Sequence, residues 1–168
     1  MRIWNKILLG AIFVLLIMSC STSQMSREEK RALQMKIAQM VDDSLANRSF
    51  KIDMNYMIPN SMPSRNLEYG YYIRVNNDSI DAYIPFFGVA YRAEYGTDDG
   101  GLSYKGPMAS YQVSQVRKDL RQVNIIVKKH FDEILYQIDV FTNGRASIFV
   151  RSLNREGIQY NGEMTINN

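Results

Sequence analysis

Few residues in this chain could carry out covalent or metal chemistry. Among 168 residues there is one cysteine, Cys20, and one histidine, His130. A thiol is the best nucleophile among the side chains. A Ser-His-Asp or Cys-His arrangement would have to recruit His130, which sits in Lys128-Lys129-His130-Phe131 near an expected strand end and reads as an exposed loop-edge histidine. A zinc site needs more nitrogen and sulfur ligands than one histidine and one cysteine supply, and Cys20 has no second thiol to pair with. Asp98-Asp99-Gly100-Gly101 offers oxygens to calcium or backbone amides to an anion. Its spacing does not match a calcium-binding loop and no glycine-rich phosphate signature opens a helix there, so it reads as a solvated turn. Asp132, Glu133 and Asp139 belong to the residue class that hydrolyses glycosides in pairs, but such pairing is a matter of three-dimensional separation. No catalytic residue, metal or cofactor is expected.

The position of Cys20 is more informative than its type. Arg2 and Lys6 give a short basic start, followed by the uncharged apolar run Ile7 to Met18. That run is shorter than the roughly 20 residues a spanning helix needs, and with its basic start it reads as a secretory signal. Ile17-Met18-Ser19-Cys20 closes the run and looks like a bacterial lipobox, with an aliphatic residue, a small residue and then the cysteine. The resemblance implies cleavage between Ser19 and Cys20, diacylglycerylation of the Cys20 thiol, and a membrane partner reached through that lipid. At about 0.8 kcal/mol per buried methylene, two or three acyl chains hold where one does not. Residues 1–19 are therefore read as a lipoprotein signal peptide and 20–25 as the lipidated cysteine and a polar tether.

Without residues 1–19, about 150 residues remain, enough for one domain with its own core. The 20 Lys and Arg then lose Arg2 and Lys6 and stand against 17 Asp and Glu, so the remaining chain is nearly neutral. Nucleic acid is not an expected partner, because that would need a basic stripe. Eleven tyrosines and seven phenylalanines, with many Val and Ile, lean towards strands.

Ser26-Arg27-Glu28-Glu29 reads as a capping box, and Leu33, Ile37, Met40, Val41 and Leu45 form one helical stripe. This predicts a helix within 26–47. Its stripe packs on the domain or lies on a membrane, and acids among the basics of the polar face disfavour the second. After Asn47 the period becomes two, marking a single β domain over 48–168. Strands are expected at Phe50–Met54, Leu67–Val75, Ile80–Ile84, Phe86–Tyr95, Leu102–Tyr104, Ala109–Val116, Val123–Val127, Ile134–Val140, Ala146–Val150 and Ile158–Ile166. Met57 to Arg65, with Pro59 and Pro63, reads as a loop, and a break is expected at Gly106-Pro107. Asn76-Asn77-Asp78 and Asn143-Gly144 read as turns, the latter a hairpin. The fold class is mainly β, an N-terminal α-helix followed by an antiparallel sandwich or barrel of about eight strands.

Two blocks carry a further resemblance. Ile84-Pro85-Phe86-Phe87-Gly88 continues through Tyr95-Gly96 to Gly100-Gly101, and Asn154-Arg155, Ile158, Tyr160 and Gly162 recur near the end. Together they are similar to the Bacteroidetes lipoprotein family known as domain of unknown function 4251, over roughly Phe50 to Ile166. The resemblance implies a cell-envelope location and brings no catalytic residues with it. The aromatic-rich segment is expected to give most of its rings to the core. Tyr83, Phe86, Phe87, Tyr91 and Tyr95, with Arg155 and Tyr160, are the candidates for a ligand pocket or contact patch, where tyrosine offers an apolar body and a polar tip. The expected function is a non-catalytic binding or interaction module of the cell envelope, lipid-anchored in the outer membrane and facing the periplasm, with an unknown small ligand or an envelope protein as partner. The alternatives are a hydrolase using paired carboxylates and a purely structural envelope protein.

Overall fold

A computed structural model describes residues 25–68, 70–91, 102–129 and 132–165. The chain divides into two compact units, Met1–Ala32 and Leu33–Asn168, with the boundary inside the helix rather than at its end. The helix, α1 (Arg27–Ala46), begins as the capping box requires. Glu29 N–H donates to Ser26 Oγ at 3.1 Å, and Ser26 N–H donates to the Glu29 carboxylate at 2.7 Å. Within the second unit, Val41 and Leu45 are buried in the core, whereas Leu33 and Met35 are exposed. The helix ends where Arg48 takes a left-handed φ of 50° and its N–H bonds back to the Leu45 carbonyl. Among the described residues no helix is long and apolar enough to cross a membrane.

Among the described residues ten strands follow: β1 (Ser49–Pro59), β2 (Arg65–Asn66), β3 (Tyr72–Asn76), β4 (Ser79–Tyr83), β5 (Tyr104–Pro107), β6 (Ser110–Arg117), β7 (Leu120–Lys129), β8 (Asp132–Phe141), β9 (Arg145–Ser152) and β10 (Ile158–Met164). They make one antiparallel sheet in the order β5-β4-β3-β1-β10-β9-β8-β7-β6, with β2 beside β1. This is a single curled sheet rather than the two facing layers of a sandwich. One stretch of chain serves both of its ends. β5 pairs with β4, and after Met108 and Ala109 the same run continues as β6 and pairs with β7. At the changeover Met108 N–H donates to Asp78 O and Ala109 N–H to Ile126 O, each at 2.8 Å. Counted as one strand, β5–β6 leaves eight long strands in the curl: β5–β6, β4, β3, β1, β10, β9, β8 and β7.

Period-two alternation sends one face of each strand inward. Ile52 and Met54 of β1, Ile73 and Val75 of β3, Ile80 of β4, Val123, Ile125 and Val127 of β7, Ile134, Tyr136, Ile138 and Val140 of β8, and Ile148 and Val150 of β9 fill the interior with the helix stripe. In β1 a register shift between Met54 and Tyr56 advances the phase by one residue, so Met57 is buried where unbroken alternation would bury Tyr56.

That bulge explains one departure from expectation, for β1 runs on to Pro59 through a segment read as loop. Another lies at β3, which starts only at Tyr72 because Gly70, at φ 114°, turns the chain just before it. Over the described part of the expected strand Phe86–Tyr95, the only pairing is an isolated bridge between Ala90 and Arg155. Gly106-Pro107, expected to break the chain, lies inside β5, a strand at the end of the sheet where proline is tolerated. The turns at Asn76-Asn77-Asp78 and Asn143-Gly144 stand as read, with Asn77 at φ 53° and Gly144 at φ 85°.

Candidate functional site

The sheet has two unlike ends. Short turns at 77–78, 118–119 and 142–144 lie at one. At the other emerge the connections 60–71, 153–157 and the segment that leaves β4 after Tyr83. The two sequence blocks singled out above, far apart in the chain, meet at this second end. Tyr91 N–H donates to Asn154 O at 2.8 Å, and Glu156 N–H donates to Val89 O at 3.0 Å. The Glu156 carboxylate accepts from Val89 N–H at 3.3 Å and from Ser61 Oγ at 2.8 and 2.9 Å, so it ties three connections together. Tyr160, in β10, reaches across the interior, and its hydroxyl donates to Pro85 O at 2.6 Å. Burial pushes the Tyr160 phenol well above the ordinary tyrosine range, and the neighbouring Tyr136 phenol adds to this. The Tyr136 hydroxyl in turn donates to Leu102 O at 3.0 Å.

The named candidates therefore fall into different roles. Phe86 and Phe87 each lie under a guanidinium, Arg155 at 5.4 Å and Arg65 at 4.6 Å from the ring centres. Phe86 packs against the core, while Phe87 is exposed. Tyr91 is 69% exposed. Tyr83 projects from the outer face of β4, stacked on Tyr71 with centroids 5.4 Å apart and planes 17° apart, with Tyr72 at 6.5 Å. Tyr160 is fully buried, so it is a tie within the fold and not a surface contact. Arg155 is held by the Ala90 bridge and the Phe86 ring. Tyr95, Ser19, Cys20, His130 and the Asp98-Asp99-Gly100-Gly101 segment lie outside the described residues.

Sequence reasoning missed the apolar companions of Phe87 and Tyr91. Val89 is exposed beside them, Met62 follows Ser61, and Leu153 precedes Asn154 and is 71% exposed. Their only signal was an apolar residue inside a loop, and that gains meaning once Glu156 brings the loops together. Glu156 itself was passed over, because a single acid in Asn154-Arg155-Glu156-Gly157 carries no spacing signature.

Asp132 and Asp139 are not placed as a pair suited to hydrolysis. Asp132 and Asp139 share β8 but differ by an odd number of positions, which places them on opposite faces of the sheet, about 23 Å apart along the strand at 3.3 Å per residue. Asp132 faces inward, accepting from Ser152 Oγ at 2.6 Å and Leu153 N–H at 3.0 Å, and so anchors the start of the 153–157 connection. Asp139 accepts from Gln122 Nε2 at 2.9 Å on the outer face. Among the described residues no cluster of three His, Cys, Asp or Glu could hold a metal ion. The hollows on the sheet surface are open and shallow. One of about 290 Å³ lies against Asn55, Arg145, Asn161 and Glu163.

A curled antiparallel sheet with a helix on its core and elaborated loops at one end defines the class of protein. The model of one family, domain of unknown function (DUF4251), matches residues 29–164, and the chain belongs to that family. A DUF4251 family protein from Bacteroides eggerthii DSM 20697, known from its crystal structure, has the same fold. It superposes with a TM-score of 0.58 at 13% identity, covering 79% of this chain and 91% of that one. No curated protein matches the chain.

Proposed function

We propose that this chain is a lipid-anchored, non-catalytic binding or interaction module of the cell envelope, held by the acylated Cys20 in the outer membrane and facing the periplasm. The observation that carries the reading is the exposed apolar group Met62, Phe87, Val89, Tyr91 and Leu153 on connections fixed to one another through Glu156. Exposed apolar side chains gathered on a rigid support mark a contact surface. Loops held by a scaffold are where binding residues concentrate. The opposite faces taken by Asp132 and Asp139 weigh against the hydrolase alternative. The anchor rests on the lipobox resemblance at Ile17 to Cys20.

Two measurements test the proposal. Cys20→Ala is expected to abolish membrane attachment and the added lipid mass, and unchanged attachment and mass would remove the anchor. For the surface, photo-cross-linkers are placed at Tyr91 in the loop end and at Lys118 in a distant turn, in cells. Adducts from position 91 that are absent from 118 and lost in Phe87→Ser support the loop surface. Equal labelling at the two positions overturns it.

A further inference from the structure

β6 is an exposed edge strand of the sheet. In an antiparallel pair every second residue turns its N–H and C=O away from its partner. Among the described residues β6 is the last strand of the sheet and pairs only with β7. The alternation follows from β7, where Thr142 N–H donates to Asp119 O and so turns Arg121, Val123 and Ile125 towards β8, leaving Gln122, Asn124 and Ile126 facing β6, as Ile126 O does in accepting from Ala109 N–H. Ser110, Gln112 and Ser114, opposite Ile126, Asn124 and Gln122, therefore bond to β7, and Tyr111, Val113 and Gln115 direct their backbone groups outward, where among the described residues no strand receives them. From Gln112 to Arg117 every residue is exposed, including Val113 at 42% and Val116 at 52%. Edge strands are ordinarily guarded by Lys, Pro, a bulge or a covering element. β6 has neither lysine nor proline, and its register shift, between Gln115 and Arg117, leaves Ser110 to Gln115 regular.

We propose that β6 is a self-association edge that pairs antiparallel with β6 of a second copy of this chain. An antiparallel pair of identical strands is two-fold symmetric, so an open edge is complementary to itself. Because opposed residues must both direct their backbone groups across the new ladder or both direct them away, the axis falls on a residue and not between residues. Centring it on Val113 pairs Ser110 through Val116, nearly the whole strand. It sets exposed Val113 against its own copy and Gln112 against Ser114. The only charge on the strand, Arg117, then falls outside the ladder at opposite ends of the pair, so no like charges are opposed. Tethering to one membrane would raise the local concentration of such edges. The inference does not depend on the loop surface proposed above.

The test is cysteine cross-linking of the full-length chain in its own membrane. Val113→Cys is expected to give a covalent dimer with a short thiol-to-thiol reagent, since directly opposed Cβ atoms lie about 4.5–5.5 Å apart. Asn143→Cys, in the β8–β9 turn, is expected not to. Gln115→Pro added to Val113→Cys removes an outward N–H and should lower dimer yield at least about tenfold. Cross-linking at 113 no better than at 143, or undiminished by Gln115→Pro, overturns the proposal. Should the proline variant fail to fold, Val113→Lys opposes two ammonium groups at the axis. Detergent-extracted wild type should then sediment as a dimer and Val113→Lys as a monomer, and equal sedimentation of the two overturns the proposal.

Discussion

The Tyr160 hydroxyl donates to the Pro85 carbonyl at 2.6 Å, joining a buried core strand to the first turn of the aromatic segment. Pro85 has no N–H of its own, so this segment is held by side chains and by the 154–156 backbone instead of by a strand ladder. Tyr160→Phe keeps the ring in place and strands the carbonyl. The expected cost is about 1–3 kcal/mol in urea unfolding, the penalty for leaving a buried group unsatisfied. Amides of Val89 and Tyr91 should exchange faster with solvent while those of β8 stay protected.

Gly162 sits opposite the β1 bulge, where a Cβ would run into the Asp53 carbonyl and crowd the Met54 backbone. Neither neighbour is a flexible side-chain end. Gly162→Ala should therefore destabilise by about 1–3 kcal/mol, the range for overpacking a tight site. A calorimetric melting temperature equal to wild type would show that β1 and β10 can separate there.

Leu45 and Leu33 lie on the same helical stripe, yet only Leu45 is buried. Leu45→Ala should cost about 2–5 kcal/mol by cavity formation, whereas Leu33→Ala should stay within about 0.5 kcal/mol. Chemical denaturation of the two variants measures the difference. Equal losses would mean that the first half of the helix is also buried.

Tyr111 gives the fold an alkaline limit. Its hydroxyl donates to Leu45 O at 2.8 Å, and burial raises its pKa from 10.0 to about 12, with the Arg48 guanidinium 5.1 Å from the ring pulling the other way. The unfolded phenol loses its proton first, so the contribution of Tyr111 is complete below pH 10 and is lost as pH rises towards 12. Tyr111→Phe should flatten part of the stability loss over that window, with the remainder belonging to Tyr160, whose phenol is raised too. Identical pH profiles for variant and wild type would show that Tyr111 is not buried in solution.

Local signals in the chain were enough for the capping box at Ser26 and Glu29, the turns at Asn77 and Gly144, and the inward sets of β7, β8 and β9, because each depends on neighbours a few residues away. They were also enough for a mainly β, antiparallel fold and its family. Where a bulge shifted the phase, as before Met57, or a positive-φ glycine bent the chain, as at Gly70, alternation alone misplaced the strand limits. Tertiary structure decided the rest. It made one run, Tyr104 to Arg117, serve both ends of the sheet, put Asp132 and Asp139 on opposite faces, buried Tyr160, and tied together, through Glu156, the connections that carry Met62, Phe87, Tyr91 and Leu153. Those relationships join residues dozens of positions apart. They are fixed by strand order and register, which arise from the packing of the whole core and leave no mark on the local spacing of residue types.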